Sequence, residues 1–354
     1  MSAKNTLTLR KKTMTTFINI HALISHPSSM MNRDDSGMQK TAVFGGSVRS
    51  RISSQCLKRA IRQSDIYGDA VAEKSIRTNK FDELFALCKK EMPETDEKTI
   101  ENVLLNLGSK VKTEKNKESG KVTRYFDAVQ PYAIGAIREA INMVGAGTEL
   151  KDLKKVVQIP TFDVALSGRM DASCPERNVE AAMSVAHSLT THSADIEVDW
   201  FTACDDLAEQ GSGHIGTTEF SSGVFYRYAS INVDLLAKNV KASVDDVSNI
   251  VNTMINCFAQ VSPDAKQKVF AAHNKADFVL AAKSNQPLSL ANAFRKPIVN
   301  NGTVMEESIA ALVTHYEKLT NAYELKSQAI ALDLTESVQS NNIKLVNSIR
   351  DIRF

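Results

Sequence analysis

Basic and hydrogen-bonding side chains are concentrated between Arg33 and Arg62, near the amino end of the chain. Residues 1–62 contain eleven Lys and Arg against two Asp, whereas the whole chain has a net charge of only +2. Guanidinium, ammonium and hydroxyl groups can donate to phosphate oxygens, but such contacts do not distinguish one base from another. A cationic surface on a nearly neutral chain therefore predicts a site that binds the backbone of a polyanion.

A predicted strand and a predicted helix position these cations. Arg49 and Arg51 are two residues apart in the strand, so both point to one face of the sheet. Ser53 or Ser54 caps a helix whose N-terminal N–H groups and partial positive charge favour phosphate. One face of that helix carries donors at positions i, i+3, i+4 and i+7: Gln55, Lys58, Arg59 and Arg62. An ordinary solvated helix face is the alternative interpretation of this stripe.

Two other pairs of residues could carry catalysis. Asp34 and Asp35 could form a metal-binding or general-acid pair, although local ion pairs or turn contacts also account for them. His21 and His26 could be the acid and base of a ribonuclease, whereas a surface or network role is the alternative for His21.

His187 and His192 might suggest a metal, but their spacing is loose for one helix face and no Cys or carboxylate cluster stands at ligand spacing. We therefore expect no metal and no cofactor.

The single tryptophan, Trp200, stands next to Phe201 on a predicted strand, so the two rings point to opposite faces. One ring could stack on a base, and packing of both rings in a local core is the alternative. The glycines at 211, 213 and 216 match GxGxxG, but the flanking pattern lacks the strand and helix of a dinucleotide site. We expect these glycines to form the tip of a β-hairpin.

The wider pattern of strands and helices predicts an α+β fold. Residues 17–24 alternate as a strand with one apolar face, residues 196–232 indicate a long hairpin, and residues 278–282 indicate another strand. Residues 108–124 are expected to form a lysine-rich loop and residues 1–13 a disordered extension. Helices are expected at Ile76–Lys90, Thr99–Leu107, Ala128–Val144, Val179–Thr191, Ser243–Gln260 and Glu306–Lys318.

The cysteine pattern and the hydropathy bear on the cellular compartment. Five widely spaced cysteines without a CxxC pair indicate reduced thiols. No apolar run approaches the roughly 18 residues that a membrane-spanning helix needs, and no signal peptide is predicted. The sequence therefore predicts a cytoplasmic protein without a membrane partner.

Long, irregular blocks of the sequence resemble the CasC family, the repeated backbone subunits of the type I-E CRISPR surveillance complex, Cascade. The resemblance spans about residue 14 to 300. Its blocks are FINIHALISHPSSMMNRDDSGMQKTAVFGGSVRSRISSQCLKRAIR (17–62), DVALSGRM (163–170), AMSVAHSLTTH (182–192), DWFTACDDLAEQGSGHIGTTEFSSGVFYRYASIN (199–232) and QPLSLANAF (286–294).

The resemblance implies a hand-shaped, non-catalytic subunit that binds guide RNA (crRNA). Its RRM-like (ferredoxin-like) palm would comprise residues 14–70 and 225–354, its mostly helical fingers insertion residues 71–193, and its β-hairpin thumb residues 194–224. Copies of the subunit would polymerise along the guide RNA together with other Cascade subunits. The filament would present the guide bases for pairing with target DNA in antiviral defence.

The same resemblance implies which residues contact nucleic acid. The palm positions that match are Arg33, Lys40, Arg49, Arg51, Ser53, Gln55, Lys58, Arg59, Arg62 and Met170. The thumb positions are Trp200, Phe201, Thr202 and Ile215. Three lysines match a fingers helix that contacts target DNA: Lys151, Lys154 and Lys155. The sequence departs from the family at Ser47 and Val48, where basic residues often follow the two glycines.

Two further functions stay open at this point. One is a metal-dependent ribonuclease of the same superfamily, in which Asp34 or Asp35 acts. The other is a stand-alone RRM-type protein that binds single strands, although residues 17–24 lack the aromatic-rich strand motif of that class.

Overall fold

The computed structural model describes residues 15–115, 120, 122–157, 161–172, 174–207 and 212–354. The extension expected at 1–13 lies outside the described residues. The strands are β1 (Phe17–Ser29), β2 (Thr41–Phe44), β3 (Ser47–Ile52), β4 (Ile76–Lys80), β5 (Val111–Lys115), β6 (Val122–Tyr132), β7 (Met183–Val185), β8 (Ser188–Thr190), β9 (Glu197–Cys204), β10 (Ser212–Asn232), β11 (Phe278–Ser284), β12 (Ser327–Asp333) and β13 (Ile343–Val346).

The helices alternate with these strands along the chain, so the α+β prediction is confirmed. They are α1 (Ser54–Gln63), α2 (Asp65–Gly68), α3 (Phe81–Glu91), α4 (Glu97–Leu107), α5 (Ile134–Gly145), α6 (Leu153–Val156), α7 (Phe162–Ser167), α8 (Val233–Val240), α9 (Val244–Gln260), α10 (Gln267–Phe270) and α11 (Val304–Ala322). Among the described residues, no helix is both long enough and apolar enough to span a membrane.

Ten strands of the described chain form one sheet, with β1 near its centre. The main order is β13-β12-β11-β1-β10-β8-β3-β2, and β7 and β9 pair with β10 outside this path. β1 is antiparallel to both β10 and β11, and the edge pair β12 and β13 is parallel. The predicted strands at 17–24 and 278–282 are therefore confirmed as β1 and β11.

Both faces of the central strands are covered. On one face, Ile18 and Ile20 of β1 join a core cluster with residues of α8 and α9, such as Leu236 and Val251. On the other face, Leu23 packs in a cluster that includes residues of α11. Since side chains of a strand alternate between the two faces, β1 is buried on both. Bases therefore cannot stack on the centre of this sheet.

A second hydrophobic cluster forms between residues 81 and 164, around α3, α4, α5 and β6. Beside it, β4, β6 and β5 form a three-stranded sheet. The helices predicted from Ile76 and from Ala128 were wrong at their starts, because those segments pair as β4 and β6. The expected loop at 108–124 contains β5, which pairs with β6, while residues 116–119 and 121 lie outside the described residues.

The helix predicted at Val179–Thr191 was wrong. The segment contains the short strands β7 and β8, each antiparallel to β10. A short apolar run fits both the helical and the strand periodicity. Here the segment forms strands because it pairs with the long neighbouring strand β10. The helices predicted near Ser243 and Glu306 are confirmed as α9 and α11, and Ser243 begins α9 with a reciprocal capping box.

Candidate nucleic-acid interface

Helix α1 displays the donors that the sequence places on its outer face. Ser53 is the N-cap, as one of the two predicted alternatives, and its hydroxyl accepts from the Cys56 N–H at 3.3 Å. Leu57 and Ile61 are buried, which orients the opposite side of the helix outward. Gln55 and Arg59 are exposed, whereas Lys58 and Arg62 are half-buried. The predicted amphipathic arrangement of α1 is therefore confirmed.

Several of the predicted cations lie close to one another. Lys40 and Arg51 both act on His187, whose pKa is lowered first by burial and then by these two charges. Lys40 and Arg59 both partly offset the rise that burial causes in the pKa of the Cys56 thiol, so each lies within electrostatic range of that thiol. Burial lowers the pKa of Arg62, the charges of Arg77 and Arg59 contribute to that decrease, and the charge of Asp163 opposes it. The cations from Lys40 to the end of α1 thus act on common neighbouring groups.

These cations form no ion pairs at contact distance among the described residues, although acids lie near some of them. Within the described ranges, no carboxylate oxygen lies within 4.0 Å of the charged nitrogens of six residues: Arg33, Lys40, Arg51, Lys58, Arg59 and Arg62. Their interactions with the protein are weaker contacts. Arg51 donates from Nε to the Thr41 carbonyl at 3.1 Å, and Arg62 donates to the Ser75 carbonyl at 3.3 Å. Most of their hydrogen-bond donors remain available to an anion.

Arg49 requires a correction, because its side chain is fully buried. Its guanidinium donates to the carbonyls of Thr190 and Phe294, each at 2.9 Å. The charge also lies 5.8 Å from the centre of the Phe44 ring. Burial lowers the pKa of Arg49. This arginine stabilises the packing between strands and the segment at 294, so it is not placed where a phosphate could reach it.

The hairpin before α1 fixes the position of β3. Gly45 and Gly46 form its two-residue turn with φ of 61° and 81°, the left-handed values that such turns require. A Cβ on Gly45 would lie 1.6 Å from the carbonyl oxygen of Arg295, while a Cβ on Gly46 would meet open space. Gly45 therefore allows the hairpin to lie directly against the segment at 295.

A cavity of about 680 Å³ lies beside α1. Its lining carries both signs of charge: Arg33, Arg59, Lys266, Asp34, Asp35 and Asp264. The acids reduce the positive potential at Arg33 and Arg59. Arg33 and Arg59 thus share their cavity with three acids, whereas Lys58 and Arg62 share a smaller cavity with one.

Asp34 and Asp35 lie in an exposed turn. Oδ1 of Asp34 accepts from the N–H groups of Ser36 and Met38, both at 2.9 Å. This is the turn contact that the sequence allowed as one alternative. In the part of the chain that the structure describes, no three His, Cys, Asp or Glu side chains are grouped so that they could hold a metal ion.

His21 and His26 are both buried. His21 stacks on Tyr226 and Tyr228, and its Nδ1 lies 2.9 Å from the Tyr226 hydroxyl. His26 lies 3.3 Å from the buried guanidinium of Arg227. Burial lowers the pKa of each histidine to about 3, and the charge of Arg227 adds to the effect at His26. Both residues therefore belong to internal networks, a role that the alternative interpretation allowed for His21.

A two-stranded ribbon projects from the main sheet. β9 pairs only with the first part of β10, and every residue of β9 is exposed. The remainder of β10 continues between β1 and the short strands β7 and β8. The predicted hairpin is thus present. Because β10 runs without a break from the hairpin into the sheet, the end of the hairpin next to the sheet has a fixed direction.

The aromatic residues of the ribbon lie on opposite faces, as predicted. Trp200 is 72% exposed and shares its face with Thr202 and Ile215, which is 62% exposed. Phe201 lies on the other face, against Gly216 and 6.1 Å from the His214 ring. The alternative in which both rings pack in a local core is wrong for this ribbon. Trp200 and Ile215 leave an apolar surface available for stacking.

Two glycines of the GxGxxG match lie in a strand, and for them the predicted place at the hairpin tip was wrong. Gly213 and Gly216 lie inside β10, and Gly211 lies outside the described residues. A Cβ on Gly216 would lie 2.5 Å from the Phe201 ring. The glycine leaves room for an aromatic ring on the neighbouring strand. Since that ring is distant in the sequence, the glycine resembled a turn residue.

The base of the ribbon is bonded to the cationic segment. The Gln39 N–H donates to Oε2 of Glu219 at 2.8 Å, and the hydroxyls of Ser50 and Ser221 lie 2.9 Å apart. These contacts join the segment before α1 to β10 where the ribbon leaves the sheet. Glu219 is thus a residue of this region that the sequence reasoning missed, since only the fold brings it to the cations.

Met170 projects from a buried polar network. It is 81% exposed, while its neighbours Arg169 and Asp171 are buried and bonded to each other at 3.2 Å. Arg177 lies 3.8 Å from the same carboxylate. Burial lowers the pKa of Arg169 to about 10. The network thus fixes the backbone on either side of this exposed side chain.

The lysines that match a DNA-contacting helix lie apart from these cations in the sequence. Lys151 is exposed and forms an ion pair with Glu149 at 2.6 Å. Lys154 is half-buried in α6, and the side chain of Lys155 is not among those described.

Comparisons with known proteins identify relatives of this fold. A family model described as "CT1975-like protein" matches residues 18–352. No curated protein matches the sequence. A chain of the solved structure "CRISPR RNA-guided surveillance complex, pre-nicking" is similar with a TM-score of 0.80 and 28% identity, covering 94% of this chain and 96% of that chain. A chain of "CRISPR RNA-guided surveillance complex" has the same fold, with a TM-score of 0.62, 24% identity, and coverage of 94% and 95%.

Proposed function

This chain belongs to the CT1975-like protein family, and from that premise we propose that it is a backbone subunit of a CRISPR RNA-guided surveillance complex. It binds guide RNA by the sugar–phosphate backbone and has no catalytic role. We assign the complex to the type I-E Cascade class on the sequence blocks that resemble CasC. Solved relatives described as parts of such complexes support the general role.

The observation that carries the proposal is the group of cations from Lys40 to the end of α1 that form no ion pair within 4.0 Å in the described part of the chain. Lys58 and Arg62 lie on one side of α1, and Lys40 and Arg51 lie near His187. Cations that are already paired with carboxylates would gain little from a phosphate, whereas these retain most of their donors. The burial of Arg49 removes it from the proposed contact set.

The mechanism follows from the atoms that bind. Lysine, arginine and hydroxyl donors contact phosphates, so any guide sequence is accepted, and binding releases condensed counterions. Sequence specificity is left to base pairing between guide and target. A strand that is already held in an ordered conformation loses less entropy when it pairs.

The ribbon and Met170 supply apolar contacts that complement the cations. Trp200 and Ile215 present one face of the ribbon to a base or to a neighbouring subunit, and Phe201 stiffens the other face. Met170 stands near the same RNA. These roles fit side chains that are exposed in the part of the chain that the structure describes.

The arrangement of elements supports a hand-like organisation. We assign residues 14–70 and 225–354 to an RRM-like palm, residues 71–193 to the fingers and residues 194–224 to the thumb. The cluster between residues 81 and 164 and the exposed ribbon support this division. We further propose that copies polymerise along the guide RNA beside other Cascade subunits, with Lys151, Lys154 and Lys155 directed to target DNA.

Binding of guide-length single-stranded RNA to the full chain tests the function. We expect affinity that rises with RNA length, is independent of sequence and falls steeply with salt. The chain should leave that RNA intact with or without divalent metal. RNA cleavage that requires metal and disappears in Asp34→Ala would instead favour the ribonuclease, and tight binding of one monomer to a short oligonucleotide would favour the stand-alone RRM-type protein.

A further inference from the structure

A buried carboxylate lies beneath the cationic face of α1. Asp163, at the start of α7, is 4% exposed and is bonded mainly to Ser75. Its Oδ1 accepts from the Ser75 N–H at 3.1 Å, and its Oδ2 accepts from the Ser75 hydroxyl. Asp163 therefore ties α7 to the segment that leads into β4, and its oxygens are already largely satisfied.

Three cations surround this carboxylate. Lys58 and Arg62 line a small cavity together with Asp163. Arg77 of β4 approaches Oδ2 of Asp163 with one terminal nitrogen at 3.9 Å, which is beyond hydrogen-bond length. Three positive charges against one negative charge leave a local excess of +2. The single carboxylate therefore cannot neutralise all three cations.

We propose that Arg77 is a further phosphate-contacting residue, which binds the same RNA backbone as Lys58 and Arg62. This inference rests on the proposed function. The Arg77 side chain is 38% exposed, and its fork of five donors is at most partly directed to Asp163. Nothing in the sequence of β4 distinguishes it, because only the fold brings β4 beside α1.

Electrostatics within the cluster favour an anion between the two arginines. Burial is the main reason that the pKa of Arg62 is lowered, the positive charge of Arg77 is the next, and the charge of Asp163 offsets part of the decrease. Repulsion between two guanidinium groups is relieved when a phosphate lies between them. Arginine pairs bind phosphate in this way because each planar fork can donate two parallel hydrogen bonds.

The alternative role for Arg77 is a structural ion pair with Asp163. A structural ion pair is expected to bury its guanidinium, since arginine is rarely fully buried unless it is paired. Arg169 and Arg177, which flank Asp171, are buried in that manner, with side chains only 3% and 2% exposed. Arg177 lies 3.8 Å from its carboxylate, close to the 3.9 Å of Arg77, so the exposure of Arg77 is what distinguishes it from these residues.

The salt dependence of RNA binding by the full chain tests the inference. For Arg77→Ala, the slope of log K against log salt should fall by about 0.7, and affinity at 0.1 M salt should fall about fivefold. Arg77→Lys should retain the slope, because a lysine still neutralises one phosphate. Arg138→Ala is the matched control, since Arg138 is also an exposed arginine that donates to a carbonyl, that of Glu91.

The outcomes separate the inference from the proposed function. If wild-type protein shows no salt-dependent RNA binding, the proposed function fails. If wild-type protein binds, Lys58→Ala/Arg62→Ala lowers the slope and Arg77→Ala does not, then the inference alone is overturned. If Arg77→Ala folds poorly, Arg77→Gln replaces it. Gln removes the positive charge and keeps a polar side chain, so its salt slope should fall, whereas that of Arg77→Lys should not.

Discussion

The double variant Lys58→Ala/Arg62→Ala tests the cationic face of α1 directly. The two residues lie one turn apart on the helix, and neither is paired with a described acid. Each phosphate contact to a single strand contributes about 0.7 to the slope of log K against log salt. Loss of both contacts should lower the slope by about 1.4. Since that term scales with log salt, affinity at 0.1 M salt should fall about 25-fold.

The measurement is fluorescence anisotropy of a labelled, guide-length RNA titrated with the full chain between 50 and 200 mM salt. Arg350→Ala/Arg353→Ala is the control, because it removes two exposed arginines outside the predicted contact set. Loss of the Arg62 contact to the Ser75 carbonyl should cost about 1 kcal/mol in the free energy of unfolding. Both variants should therefore be folded at the assay temperature, as checked by circular dichroism.

An unchanged slope in the Lys58→Ala/Arg62→Ala variant, with a measurable slope in wild type, would refute the reasoning. An equal loss in the control pair would also count against it, because binding would then depend on net charge rather than on this face.

Three further predictions concern other parts of the molecule. Fluorescence of Trp200, the single tryptophan, should change when RNA binds, and Trp200→Ala should weaken binding by about 1–3 kcal/mol; an unaltered spectrum at saturation would exclude stacking. Gly45→Ala should lower the free energy of unfolding by more than about 2 kcal/mol in chemical denaturation, because its Cβ meets the Arg295 carbonyl. Gly46→Ala should lose only the free energy of the strain at positive φ. Equal losses in the two variants would contradict the packing argument. His21 has a folded pKa of about 3, below its value of 6.5 in the unfolded chain, so stability is lost as pH falls from 6.5 toward 3, by up to about 1.4 kcal/mol per unit, and His26 adds a similar loss. His21→Gln should remove its own part of this pH dependence and leave that of His26; an unchanged dependence would contradict the argument.

Local signals in the sequence predicted the elements that carry the candidate site. Ser53 followed by an amphipathic stretch predicted α1 with its cap and its outward stripe, because capping and helical periodicity depend on near neighbours. The alternation at 17–24 predicted β1. Trp200 next to Phe201 predicted two rings on opposite faces, since strand geometry alone settles that point.

Contacts distant in sequence explain what could not be predicted. Arg49 has the same spacing to Arg51 that an exposed pair would have, yet carbonyls at 190 and 294 surround it in the fold. The segments that became β4, β7 and β8 are short and ambiguous in period, so pairing with other strands decided their structure. Gly216 resembled a turn residue because the ring of Phe201 across the ribbon is invisible in the local sequence.

The central claim is that this chain binds RNA by its backbone and not by its bases. The most direct measurement compares the affinity of the full chain for two guide-length RNAs of equal length and unrelated sequence, at matched salt. The account predicts equal affinities within about twofold and equal salt slopes. A tenfold or larger preference for one sequence, or binding without salt dependence, would contradict it.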